Sequence, residues 1–191
     1  MAFKQTHPWV ECVLETSDSR SLERRIVNSE VEIALITNPS YSPHIALEPY
    51  KELEVVAFVP FTSPLAGMTM TLGELGQTPL VVRREGNTLR ELAKRGYKLN
   101  IAVQCEASEA VKAAVQTGMG MGVLYRDTIE WDIKKGELKI INVPDIKKIK
   151  VRSFVAYSKG TPLSANAQDF LNILRQRKAK EEKAGLPKRA A

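Results

Sequence analysis

The residues with chemistry to offer are hydroxyls and backbone amides at the ends of apolar runs. Thr37, Thr88 and Ser108 each fall where a strand-like stretch gives way to small or polar residues, and the last two open helical patterns. The first turn of a helix leaves amide donors without partners and carries about half a positive charge. A carboxylate, phosphate or sulfate is therefore the guest that such turns select. The plain alternative is that Thr88 and Ser108 only cap their own helices, and the sequence leaves both readings open. Other chemistries lack their residues. His7 and His44 have no ligand-spaced partners, Cys12 and Cys105 read as buried packing residues, and no nucleophile with a histidine base, carboxylate pair or phosphate-loop signature occurs. No catalytic residue, metal site or cofactor is expected.

The elements that must position these hydroxyls alternate between strand and helix. Residues 10–15 alternate apolar and polar as a strand does, with Cys12 between Val10 and Leu14, and Ser17, Asp18 and Ser19 offer caps for a helix with Leu22, Ile26 and Val27 inward. Residues 31–37 hold a continuous apolar run suited to a strand covered on both faces, 38–49 read as a proline-broken loop, and 53–61 as a strand. Thr71 and Glu74 make a Thr-x-x-Glu capping box, and Thr88 with Glu91 repeats it after the strand 79–83. Strand 100–105 leads into EASEAVKAAVQTGMGMGVLY, read as a turn, a helix capped by Ser108 and a glycine-dotted strand whose edge could line a cleft. Helix-to-strand packing explains the same glycines equally simply. A helical stretch around Trp131 and Ile133, strands 138–143 and 151–158, and a last helix from Ser164 complete an α/β chain.

The chain has 191 residues, 43% of them hydrophobic, enough for one domain or two small lobes. Its net charge of +6 looks like a nucleic-acid signal until it is located. From residue 175 onward there are seven basic and two acidic residues, so the body of the chain carries only +1. A basic helix end fading into AGLPKRAA reads as a solvated tail. No window approaches a membrane span and the first residues form no signal-peptide core, so the expected location is cytoplasmic.

The order of six segments carries a resemblance: FKQTHPWVECVLETSDSRSL, EVEIALIT, LEVVAFVPFTSPLAG, PLVVRREGNTLRE, EASEAVKAAVQTGMGMGVLY and SFVAYSKGTPLSANAQDFLNIL. From about residue 3 to 177 the chain resembles the C-terminal effector-binding domain of LysR-type transcriptional regulators. The resemblance implies a two-lobed α/β fold of the type 2 periplasmic-binding-protein kind, with two crossover strands near 55–61 and 152–158. Lobe I would comprise 1–60 and 155–191, and lobe II 61–154. It implies a small, anionic effector contacted by Thr37, by the turn Gly86, Asn87 and Thr88, and by Ala107 and Ser108. Many members carry Ser-Gly-Thr-Arg where this chain has Gly86-Asn87-Thr88-Leu89-Arg90, so the hydroxyl is kept and the arginine is displaced. The residues contain neither the family's winged helix-turn-helix nor the effector domain's opening strand, so lobe I is expected to be incomplete and DNA binding to need a domain absent from this chain. A homodimer or higher homo-oligomer is expected. The alternatives are a stand-alone small-molecule-binding protein and an enzyme on the same fold.

Overall fold

A computed structural model describes residues 2–84, 91–93 and 96–185. The chain divides into two compact units, one of Met1–Lys51 with Arg152–Ala191 and one of Glu52–Val151. The elements in chain order are α1 (Ala2–Thr6), α2 (Ser19–Val27), β1 (Ile33–Ile36), β2 (Ile45–Pro60), α3 (Leu72–Gln77), β3 (Leu80–Arg83), β4 (Ile101–Cys105), α4 (Ser108–Gln116), β5 (Met121–Tyr125), α5 (Arg126–Lys134), β6 (Leu138–Ile141), α6 (Pro144–Lys147), β7 (Lys150–Ser158) and α7 (Ala165–Gly185).

In the middle unit the strand order is β6-β2-β5-β3-β4. β2 runs antiparallel to β6 and β5, while β3 runs parallel to β5 and β4. Side chains alternate across a strand, and β2 divides its residues accordingly. Val55, Ala57 and Val59 pack with Leu72, Leu75 and Ile146 on one face, and Val56 and Phe58 pack with Val111, Val115 and Ile129 on the other. β3 is buried throughout Leu80, Val81 and Val82, as a parallel strand covered on both faces must be. The expected capping box opens α3: Thr71 Oγ1 accepts from the Glu74 amide at 3.2 Å and the Glu74 carboxylate accepts from the Thr71 amide at 2.7 Å. α4 ends in a full Schellman motif. Gly118 N–H donates to Val115 O and Met119 N–H to Ala114 O, with Gly118 at φ +81° where a side chain would be strained.

The glycine-dotted strand is not an edge. β5 lies inside the sheet between β2 and β3, and a Cβ at Gly122 would fall 2.2 Å from the Phe58 ring. That absence of a side chain serves ring packing in the core, so the cleft-lining reading of this strand gives way to packing.

In the other unit β7 lies between β1 and β2. β1 and β7 are antiparallel, with Ile33 opposite Tyr157 and Ile36 opposite Phe154. Ala34 and Ile36 meet Ile26 of α2 on one face, and Ile33 meets Leu171 and Leu174 of α7 on the other. Asp18 caps α2 through Ser21 N–H at 2.9 Å, and Ser164 caps α7 through Ala167 N–H at 3.2 Å. α1 docks through buried Phe3, which meets Phe170 edge-on at 5.5 Å and stacks on His7 at 4.4 Å.

Residues 10–15 form no strand, because alternation makes a strand only when another strand supplies hydrogen bonds, and none pairs there among the described residues. Cys12 is consequently exposed, not buried; Cys105 is half-buried. The loop expected over 38–49 ends early, since β2 begins at Ile45 and carries Pro49 within it. Proline forbids the helix there, but it is tolerated in a strand where its nitrogen is not needed by the ladder.

Candidate functional site

The parallel strands β3 and β4 end side by side at one end of the middle unit. Arg84 N–H donates to Cys105 O at 2.8 Å, Arg83 Nε–H donates to Glu106 O at 3.2 Å, and Arg84 Nη1–H donates to the Glu106 carboxylate at 3.1 Å. Glu106 leads directly into Ala107 and the first turn of α4. Two guanidinium groups, that of Arg84 paired with the Glu106 carboxylate, and the positive end of a nine-residue helix therefore gather at one strand-carboxyl end.

The residue that caps α4 is not the expected one. Ala107 holds the N-cap position, at φ −105° and ψ 148°, with no side-chain hydrogen bond to the first turn. Ser108 is already the first helical residue, one step past the position from which a hydroxyl folds back onto the second or third amide. The helix starts one residue earlier than the hydroxyl suggested, because Val111 N–H reaches Ala107 O at 3.2 Å. The consequence is chemical: the first turn of α4 has no side-chain cap of its own, and the half-buried Ser108 hydroxyl is not spent on capping.

α4 is held in place from its far side. Lys112 Nζ lies 2.8 Å from Glu109 and 3.1 Å from Asp132 of α5, with Lys112 and Asp132 both largely buried. Burial alone would depress the ammonium, but hydrogen bonds to Glu109 and Asp132 outweigh it and hold Lys112 above the ordinary lysine value. This pair fixes α4 against α5 and with it the direction in which the first-turn amides point.

Of the expected site residues, Ala107 and Ser108 are brought beside Arg83 and Arg84. Gly86, Asn87 and Thr88, with the Thr88–Glu91 box, lie outside the described residues except for Glu91, which is helical. Thr37 belongs to the other unit, half-buried directly after β1. The loop after it is tied down by buried Glu23 of α2, whose carboxylate accepts from Ser40 N–H at 2.8 Å, and carries Tyr41 at φ +58°. Arg83 and Arg84 were not among the expected site residues. Their signal was available, two cations ending an apolar strand whose carboxyl end is where α/β sheets receive ligands.

Residues 1–179 match the LysR substrate binding domain. The chain belongs to that family. It is 32% identical over 147 residues to the uncharacterized HTH-type transcriptional regulator YeiE of Escherichia coli, covering 74% of this chain and 50% of that protein. Among solved structures, the regulatory domain of CcmR from Synechocystis PCC6803 in complex with 2-PG superimposes with a TM-score of 0.80 at 23% identity, over 93% of this chain and 88% of that one. The effector-binding domain of QuiR in complex with shikimate gives 0.78 at 14% identity, over 94% and 88%. The fold is thus the two-lobed type 2 periplasmic-binding-protein fold, and the chain is an effector-binding domain of the LysR type. It spans about half the length of the curated relatives it matches. No helix among the described residues is long and apolar enough to cross a membrane.

Proposed function

We propose that this domain senses a small anionic metabolite bearing a carboxylate or phosphate, and that the lobes are 1–60 with 155–191 and 61–154. In this reading Ala107 and Ser108 present the first-turn amides and a free hydroxyl, the turn of Gly86, Asn87 and Thr88 adds a second set, and Thr37 is the contact supplied by the first unit. The observation that carries the reading is the first turn of α4, without a side-chain cap and beside Arg83 and Arg84. A helix N-terminus flanked by cations favours an anion over any neutral guest. The ligands solved with CcmR and QuiR, 2-PG and shikimate, support it as properties of those proteins. Curated relatives such as YeiE are transcriptional regulators, which favours a sensor over an enzyme, and we propose a homodimer or higher homo-oligomer as its working state.

Calorimetry against a panel of small carboxylates and phosphates, including shikimate and 2-PG, tests the reading. An anionic binder whose affinity falls in Arg84→Ala is expected. Binding confined to neutral compounds, or indifferent to Arg84 and Ser108 alike, would remove the site assignment, and turnover of any panel member would restore the enzyme.

A further inference from the structure

The site at the start of α4 already holds a carboxylate of its own. Glu106 Oε1 accepts from Arg84 Nη1–H at 3.1 Å, with the Arg84 and Glu106 side chains 61% and 81% exposed. No other cation meets the Glu106 carboxylate among the described residues. The ion pair of Lys112 with Asp132 is of another kind, since it is largely buried and ties two helices together. Arg84 and Glu106 tie nothing that is loose. Backbone hydrogen bonds already fasten the same two strand ends, through Arg84 N–H to Cys105 O at 2.8 Å and the parallel register that sets Arg83 beside Cys105. Arg83 Nε–H holds the Glu106 carbonyl as well, at 3.2 Å. An exposed pair between anchored strand ends adds little to stability, so the Glu106 carboxylate is able to leave Arg84 without loosening the fold.

A glutamate carboxylate seated on a guanidinium is chemically what a ligand carboxylate would be in the same place. An incoming anion and Glu106 therefore seek the same donors, and two negative groups side by side repel each other. The other acid at this end of α4 does not enter the contest, because Glu109 is committed to Lys112 at 2.8 Å. Arg83 and Arg84 thus face one carboxylate at this strand end, and removing its charge would leave both guanidinium groups to the ligand. An anion that takes Arg84 gains that contact only by giving up the one already made there, so the concentration at which the site fills is raised.

We propose that Glu106 is an internal competitor of the ligand, holding Arg84 until an anion displaces it and thereby setting the threshold of the sensor. The proposal rests on the anion site at the start of α4, and a double-mutant cycle separates the two. Inorganic sulfate serves as the probe, titrated into the full chain while the backbone amide resonances of Ala107 and Ser108 are followed by NMR. Glu106→Gln keeps the size of the side chain and removes its charge. It should melt with the parent and bind sulfate tighter by about threefold or more, the scale of an exposed ion pair. Arg84→Gln should weaken binding, and adding Glu106→Gln to it should recover less than about half of that gain on a logarithmic scale, since the competitor no longer has a cation to hold. A gain of half or more in the Arg84→Gln background would make Glu106 a merely repelling charge and overturn the proposal. Binding that depends on Arg84 and ignores Glu106 would overturn it too while leaving the anion site standing. Amides of Ala107 and Ser108 that do not respond to sulfate in either the parent or Glu106→Gln would remove both.

Discussion

Replacing Ser108 by alanine separates ligand binding from helix capping. If Ser108 were the cap of α4, its loss would cost about 0.5–2 kcal/mol of stability. The structure places it at the first helical position with Ala107 as the cap, and alanine is the better helix former, so the melting midpoint of Ser108→Ala should stay within about 0.5 kcal/mol of the parent. A hydroxyl that bonds a charged ligand is worth about 1.5–3 kcal/mol, which converts to an affinity loss of roughly ten- to a hundredfold. Thr71→Ala supplies the opposite case. Its hydroxyl accepts from Glu74 N–H and holds the Glu74 carboxylate, so its removal should cost about 1–2 kcal/mol while leaving ligand affinity unchanged. Thermal melts and calorimetric titration of both variants, with an anion found in the ligand panel, give four numbers. Unchanged affinity in Ser108→Ala would refute the assignment of that hydroxyl to the ligand, and a stability loss equal to that of Thr71→Ala would refute the account of the helix start.

Three further outcomes follow from particular contacts. Gly122→Ala should lower the denaturation midpoint by about 1–3 kcal/mol, because its methyl would fall 2.2 Å from the fully buried Phe58 ring; a neutral result would mean the ring can move aside. Ser29→Gly should stabilise by about 1 kcal/mol in the same assay, since Ser29 occupies the left-handed position of the Schellman motif closing α2 at φ +60°, and a loss would mean its hydroxyl contact with Thr161 at 3.4 Å outweighs the strain. Hydrogen bonds from Arg175 and then Tyr157 outweigh burial and hold the Glu48 carboxyl below the usual range. A depressed carboxyl stabilises the fold above its unfolded pKa and loses that contribution as pH falls through its folded value. The stability difference between the parent and Arg175→Gln should therefore be full at pH 7 and shrink in acid, and urea midpoints that keep the same difference at pH 3 would assign Arg175 a role in packing instead.

Much of the fold was legible because it rests on local chemistry. A capping box is two side chains three residues apart, so Thr71 and Glu74 announced α3. Asp18 and Ser164 announced α2 and α7 in the same way, and the apolar run within residues 53–61 announced the later part of β2, though only the packing assigned its side chains to faces. The order of six segments over nearly the whole chain carried the family. Strand status and helix start were not decided locally. Residues 10–15 alternate as well as any strand but find no partner, whereas 45–49 read as a loop and are drawn into β2 beside β7. Ser108 has the right side chain for a cap, yet the helix begins one residue before it, and a hydroxyl moves from capping to availability by that single step. The glycines of β5 pointed to a close approach, and only the strand order revealed that the approaching group is the Phe58 ring. Arg83 and Arg84 became neighbours of Ala107 through the pairing of β3 with β4, a contact between residues more than twenty positions apart. Hydrogen bonds within a turn are written in the sequence that makes the turn, but a sheet gathers its ends from distant segments, and the two arginines reach the start of α4 by that gathering.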